Sequence, residues 1–189
     1  MAQNRAGGDL ARDVVTRAMG GDEDSFLALV RHYDAGLRSL AYRVLGDRDR
    51  MDDALQEAYV KAFRALPSFR GRAKLGTWLY RIAYNACLDE LERGRRVVPL
   101  PLAAAEARAD PQAGTDERVE RRVVVAEALR TLPVADRTAI VLVDGHGFTY
   151  EEAAEILGIP SGTVGSRLNR ARASLRRALG TPTEGAVER

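Results

Sequence analysis

Apolar and polar residues alternate with a helical period along almost the whole chain. Leu10, Val14, Val15 and Ala18 recur at helical spacing and stop at Gly20-Gly21. A longer stripe follows through Phe26, Leu29, Val30, Tyr33, Leu37, Leu40, Ala41, Val44 and Leu45, with Asp24 or Ser25 placed to cap its start and Gly46 its end. From Asp49 a third stripe runs Leu55, Ala58, Tyr59, Ala62, Phe63, Leu66, with an acidic opposite face. Pro67, which has no N–H to continue a helix, ends it. Residues 69–76, "FRGRAKLG", are basic and glycine-containing and read as a loop, after which Thr77 is placed to cap "WLYRIAYNACLDELERGRR". Residues 97–117 hold three prolines and no sustained amphipathic period, so they read as a linker. Fully extended, it would reach about 70 Å at roughly 3.3 to 3.6 Å per residue.

The C-terminal third keeps the period in shorter pieces. Val119, Val123 and Ala126 mark one face of a helix from Arg118 to Leu132, Pro133 interrupts it, and Ala139, Ile140, Leu142 and Val143 form a short apolar helix before "DGHGF" turns the chain. Thr149 and Glu152 have the spacing of a capping box, in which hydroxyl and carboxylate each satisfy a backbone amide at a helix start. That helix ends at Gly158, where a left-handed turn costs little. Ser161 is placed to cap a second helix, whose Val164, Leu168, Ala171 and Leu175 bury one face. Small Ala154, Gly158 four residues on and Val164 six beyond allow the close approach that a helix-turn-helix requires. The expected fold is therefore all-α: two small helical domains, 9–96 and 118–179, joined by the flexible linker 97–117, with flexible tails at 1–8 and 180–189.

Charge adds more than composition does. With 46% apolar, 30% charged and 6% aromatic residues in 189, the chain is helix-biased, and its net charge of +2 conceals segregation. Acid gathers at Asp22, Glu23 and Asp24 and again at Asp47, Asp49, Asp52, Asp53 and Glu57, whereas Arg70, Arg72, Lys74, Arg81, Arg93, Arg95 and Arg96 form a basic stretch. Five arginines lie between Thr149 and Leu179, where no acid follows Glu155. Few local carboxylates are at hand to pair with them, so they are expected to face phosphates and bases, with the start of the second helix in the major groove. Two basic zones and one acidic zone imply two kinds of partner.

Other chemistry is excluded by what the chain lacks. A lone Cys87 with His32 and His146 cannot build a disulfide framework or a four-ligand zinc site, and no cofactor is expected. There is no glycine-rich phosphate loop and no convincing nucleophile-base pair, so the chain does not read as an enzyme. The N-terminus has no apolar signal-peptide core and no window approaches the roughly 20 apolar residues of a membrane span, which predicts a cytoplasmic protein.

"DDALQEAYVKAFRALPSFRG" followed by "TWLYRIAYNACLDELERGRR" resembles region 2 of a bacterial sigma factor, and "LPVADRTAIVLVDGHGFTYEEAAEILGIPSGTVGSRLNRARASLRRAL" resembles region 4. The short two-domain layout is similar to the extracytoplasmic-function (ECF) group of the sigma-70 family. The resemblance implies that Asp52, Asp53, Gln56 and Glu57 bind the clamp helices of core RNA polymerase. It places the minus-10 promoter element on Phe69, Arg70, Arg72, Lys74, Arg81 and Asn85, with a flipped nontemplate base captured near Phe69 and Asn85. The residue chemistry agrees: Asn85 offers donor and acceptor on a face similar to that of Trp78, and the cations can follow a single-stranded backbone. Trp78 itself reads as core. The minus-35 element falls to Thr163, Ser166, Arg167, Asn169 and Arg170. Partners implied are core RNA polymerase, duplex minus-35 and single-stranded minus-10 promoter DNA, and an anti-sigma factor that wedges between the domains. Gly165 stands where many relatives carry a basic residue, and Leu75 where many carry Phe.

Two other readings compete. A helix-turn-helix regulator acting without polymerase would account for the C-terminal region but leaves the N-terminal match unexplained. A sigma-like decoy that occupies an anti-sigma factor gains support from Gly165, yet has no use for five arginines and a basic loop.

Overall fold

The computed structural model describes residues 12–71, 73–96 and 116–180. The expected N-terminal tail, Leu10, Arg72, all but the last two linker positions and the C-terminal tail beyond Gly180 lie outside them.

Helix α1 (Arg12–Met19) turns through Gly20-Gly21 into the 23-residue α2 (Glu23–Leu45). The cap of α2 is Asp22, whose Oδ2 accepts from Ser25 N at 3.0 Å, so Asp24 and Ser25 fall inside the first turn and do not cap it as expected. Its buried positions Phe26, Leu29, Tyr33, Leu37, Leu40 and Val44 step by three and four residues, one continuous stripe of the helix surface. Gly46 closes the helix. Helix α3 (Arg48–Ala65) is capped by Asp47, which accepts from Arg50 N at 2.9 Å, and Pro67 sits in the 3-10 turn Leu66–Ser68 that ends it. Phe63, expected in the buried stripe, lies at its edge with 37% exposure, stacked edge-on against Phe26 of α2.

Helix α4 (Leu75–Arg96) begins before Thr77: Trp78 N already bonds to Lys74 O at 3.0 Å. Thr77 is therefore a buried first-turn residue and no cap, and its hydroxyl has no hydrogen-bond partner among the described residues. At Gly76 a Cβ would meet the Tyr33 ring at 3.1 Å, so a glycine lets α4 start flush against α2. Arg50 ties α3 to the far end of α4, donating Nε to Glu90 Oε1 (3.1 Å) and Nη2 to Glu90 O (2.8 Å).

The second bundle comprises α5 (Asp116–Arg130), α6 (Val134–Ile140), a π turn (Val141–Gly145), α7 (Tyr150–Leu157) and α8 (Ser161–Ala178). The capping box at Thr149 and Glu152 is formed in both directions, at 3.2 and 2.9 Å. Gly158, at φ 66°, takes the left-handed conformation that turns α7 into α8. Ser161 is the first residue of α8; Pro160 precedes it and no side chain caps the helix, another departure from expectation. Ala153, Ile156, Val164, Leu168 and Ala171 fill the angle between the two helices.

The two bundles touch. The apolar arc of α4 spans Leu79, Tyr80, Ala83, Tyr84, Ala86 and Cys87, too wide for α2 and α3 alone to cover, and its second flank packs on α7 and the loop before it. Tyr80 lies edge-on to Phe148 (4.8 Å between ring centroids) and to His146 (5.4 Å). Arg137 of α6 donates Nη2 to Val44 O at the end of α2 (3.2 Å), where helix carbonyls lack intrahelical partners and the dipole favours a cation.

Candidate polymerase and nucleic-acid interfaces

Helical geometry orders the four acidic-face candidates of α3 around the helix as Asp52, Gln56, Asp53, Glu57, over about 140° at 3.6 residues per turn. The flanks are engaged by neighbouring helices. Asp52 Oδ1 accepts from Arg38 Nη2 of α2 at 2.6 Å. Glu57 bonds to Lys61 at 2.7 Å and to Arg93 of α4, and Lys61 reaches Asp89 at 2.9 Å. The hydrogen bond from Lys61, assisted by that from Arg93 and opposed by slight burial, holds the Glu57 carboxyl below the usual range. Asp53 and Gln56, at the centre, point outward. Val60 continues the same line at 45% exposure, with Phe63 one turn on at 37%. That apolar extension was hidden in the sequence, because Phe63 fits the buried period as well as the exposed edge.

The second candidate surface runs from the loop into α4. Trp78, Arg81 and Asn85, spaced by three and four, share a face; Arg81 and Asn85 are exposed, and Trp78 is half-buried against the core, as expected of a packing residue. Phe69 lies against Trp78 with ring centroids 5.2 Å apart. This aromatic pair at the head of a polar face can receive a base ring while Asn85 meets its edge. Arg70 is exposed, and Lys74 reaches Glu152 of α7 at 2.8 Å. Arg72 lies outside the described residues.

On α8 the expectation that the arginines lack intramolecular partners is overturned. Arg170 makes a two-pronged ion pair with Asp136 of α6, Nε to Oδ2 at 3.0 Å and Nη2 to Oδ1 at 2.8 Å. Arg172 does the same with Asp144 of the π turn, at 2.9 and 2.6 Å. Each carboxylate comes from about 30 residues upstream, invisible to a search for nearby acids. Asn169 and Ser166 are exposed, the Ser166 hydroxyl donating to Thr163 O at 2.9 Å. Thr163 and Arg167 are half-buried. The Arg167 charge lies near enough to Tyr84 of α4 to oppose the rise in the phenol pKa that burial causes.

Burial pushes the Cys87 thiol up to about 12, and among the described residues no cluster of three or more His, Cys, Asp or Glu could hold a metal ion. No helix among the described residues is long and apolar enough to cross a membrane.

Set beside known proteins, residues 29–97 match the family described as Sigma-70 region 2 and residues 122–175 match Sigma-70, region 4. The chain is 39% identical over 168 residues to the ECF RNA polymerase sigma factor SigM of Mycobacterium tuberculosis, covering 89% of this chain and 84% of that protein. It is 38% identical over 173 residues to the ECF RNA polymerase sigma-E factor of Escherichia coli K12, covering 86% of this chain and 90% of that one. Among solved structures it superposes on the sigma factor RpoE in complex with the anti-sigma factor NepR from Bartonella quintana, with TM-score 0.70 and 28% identity over 82% of this chain and 97% of RpoE. It also superposes on CnrH in complex with the cytosolic domain of CnrY, with TM-score 0.67 and 26% identity over 93% of this chain and 100% of CnrH.

Proposed function

The chain belongs to the ECF group of RNA polymerase sigma factors, and from that premise we propose how its surfaces divide the work. It binds core RNA polymerase, recognises minus-35 and minus-10 promoter elements and promotes melting, under the control of an anti-sigma factor. Polymerase docks on α3, centred on the outward Asp53 and Gln56, with Asp52 and Glu57 adding to the negative field from the flanks. The minus-10 strand follows Arg70, Arg72, Lys74 and Arg81, and a flipped base is captured between the Phe69–Trp78 pair and Asn85. Extruding a base costs a few kcal/mol, which stacking of about 1–3 kcal/mol per base and phosphate contacts offset. The minus-35 duplex is read by Thr163, Ser166, Arg167 and Asn169. Arg170, tied to Asp136, sets the pitch of α8 against α6 and leaves base reading to the others. RNA synthesis itself belongs to the polymerase, so the protein supplies binding free energy and no catalytic group. Its place of action is the cytoplasm.

The observation that carries this reading is the presence of both modules, in order, on one chain, since a regulator without polymerase needs only the second. The test is run-off transcription with purified core polymerase on a promoter library at stated salt, because phosphate contacts make affinity salt-dependent. Promoter-dependent transcripts appear when the chain is added; their absence at every ionic strength would overturn the reading.

A further inference from the structure

We infer that a cavity between the C-terminal end of α2 and the α5–α6 corner is a binding site for a small molecule carrying a phosphoryl group, held by Arg43, Arg130 and Arg137. The site stands apart from the surfaces described above, because no residue assigned to polymerase or promoter lines it. Its volume is about 160 Å³. Three guanidiniums line it and not one carboxylate does, while Ser39 and Tyr42 add hydroxyls.

Arginines elsewhere reach acids across the fold, Arg50 at Glu90, Arg170 at Asp136 and Arg172 at Asp144. At this cavity Arg130 and Arg137 meet a phenol and carbonyls instead. Arg137 is only 9% exposed; Nη2 donates to Val44 O at 3.2 Å and Nη1 to Arg130 O at 3.4 Å, and the buried Nε has no partner among the described residues. A buried donor left in that condition calls for an acceptor from outside the fold. Arg130 Nη2 donates to Tyr42 Oη at 3.1 Å, so the phenol oxygen accepts and its own proton is left to donate. Burial and then the Arg130 charge lower the Arg137 pKa, as two like charges do when they face each other. The Arg43 charge adds to the same positive field, which reaches His146.

The geometry selects the ligand. A carboxylate offers two oxygens in one plane, whereas a phosphoryl dianion offers oxygens in three directions, matching donors that arrive from α2 on one side and from α5–α6 on the other. Leu129 and other apolar atoms complete the wall, which suits a short carbon skeleton attached to the phosphoryl group. The lining takes no residue from α8, and a cavity of this size does not admit duplex DNA.

The test is titration calorimetry on the full chain with phenyl phosphate, inorganic phosphate and neutral phenol, at constant ionic strength so that general salt effects cancel. Phenyl phosphate binds one to one and, at about ten times its dissociation constant, raises the thermal midpoint by about 4 °C; phenol does neither. Inorganic phosphate binding as tightly makes the free ion the ligand, and weaker binding makes it an ester; both support the site. Arg43→Gln with Arg130→Gln removes two cations, keeps polar side chains and weakens phenyl phosphate at least about tenfold. Should that double variant fail to fold by circular dichroism, the single Arg130→Gln, at an exposed position, decides with a loss of about fivefold. No saturable binding, unchanged affinity in a folded variant, or displacement of phenyl phosphate by minus-35 duplex overturns the inference.

Discussion

Helices α3 and α8 both present charge runs that read as docking faces, and both have part of that charge tied up by neighbouring helices. They differ in what ties it. On α3 the paired residues are themselves exposed: Asp52 and Arg38 are 55% and 44% accessible, so water screens the bond and little stability rests on it. On α8, Arg170 reaches a carboxylate that is only 10% accessible, and a buried acid cannot be left alone. The charges of α3 are thus a field facing outward, while Arg170 of α8 is framework; Arg172 and Asp144, 39% and 41% accessible, form a screened pair like that of α3. A run of one sign along a helix is a surface only where the neighbouring helices leave it one, and the angular position of each residue decides which.

Acid separates the two most strongly. Burial, with the Arg43 charge adding to it, lowers the His146 pKa from 6.5 to about 4 at the seam that joins the α8 module to α4, where the Tyr80 ring lies edge-on to the imidazole. Above pH 6.5 the imidazole is neutral folded or unfolded and contributes nothing. As pH falls from 6.5 towards 4 the unfolded chain takes a proton that the folded chain refuses, a penalty growing to about 3 kcal/mol. The Glu57 network of α3 runs later: its depressed pKa means that its contribution is intact above pH 4.5 and is lost only below that, as the folded carboxyl protonates. Denaturant midpoints at pH 7, 5.5 and 4.5 should therefore decline for the native chain, and decline less for His146→Gln. Equal slopes would remove His146 from the seam.

Substitution comes next. Arg167→Ala should lower affinity for minus-35 duplex by about 1–3 kcal/mol with thermal stability unchanged, whereas Arg170→Ala should lower stability first. Titrations of labelled duplex alongside thermal melts distinguish the two; the reverse pattern would make Arg170 the reader and Arg167 the framework. Smaller again is the contrast between carboxylates. Asp136→Ala should destabilise the C-terminal module by about 1.5 kcal/mol and Asp52→Ala the N-terminal one by no more than about 0.5 kcal/mol, seen as a clear and a negligible shift in denaturant midpoint.

What could be read along the chain was whatever depends on near neighbours. Thr149 and Glu152 are three residues apart, Gly158 follows the last helical residue, and the α2 stripe repeats within one element, so each declares itself locally. Caps erred by a residue or two because Asp22, Asp24 and Ser25 are chemically equivalent candidates and only backbone geometry chooses among them. The partner of Arg170 lies 34 residues away, and nothing in the spacing of α8 points to Asp136. Likewise Tyr80 reads as ordinary core; that its neighbours are His146 and Phe148 of the other module follows from packing across more than sixty residues of chain. Among the site residues, periodicity alone places Trp78, Arg81 and Asn85 on one face of α4, but not the cover that α7 lays beside it.

The smallest effect isolates backbone from charge. Helix α8 carries Gly162 and Gly165, while α3 carries no glycine, so the arginine helix has the weaker backbone of the two. Gly165 is half-buried in ordinary helical conformation, and a Cβ there would meet only Tyr150 Cε2, at 3.7 Å, a normal contact. Gly165→Ala should then add up to about 1 kcal/mol through helix propensity alone and raise the thermal midpoint by a few degrees. Since it adds no charge and displaces no neighbour, affinity for minus-35 duplex should change less than twofold. A fall in stability would mean that Tyr150, which also bonds to Arg172, cannot yield even a few tenths of an ångström. The close fit of α7 against α8, and not the arginine ties, would then be what holds the recognition helix in place.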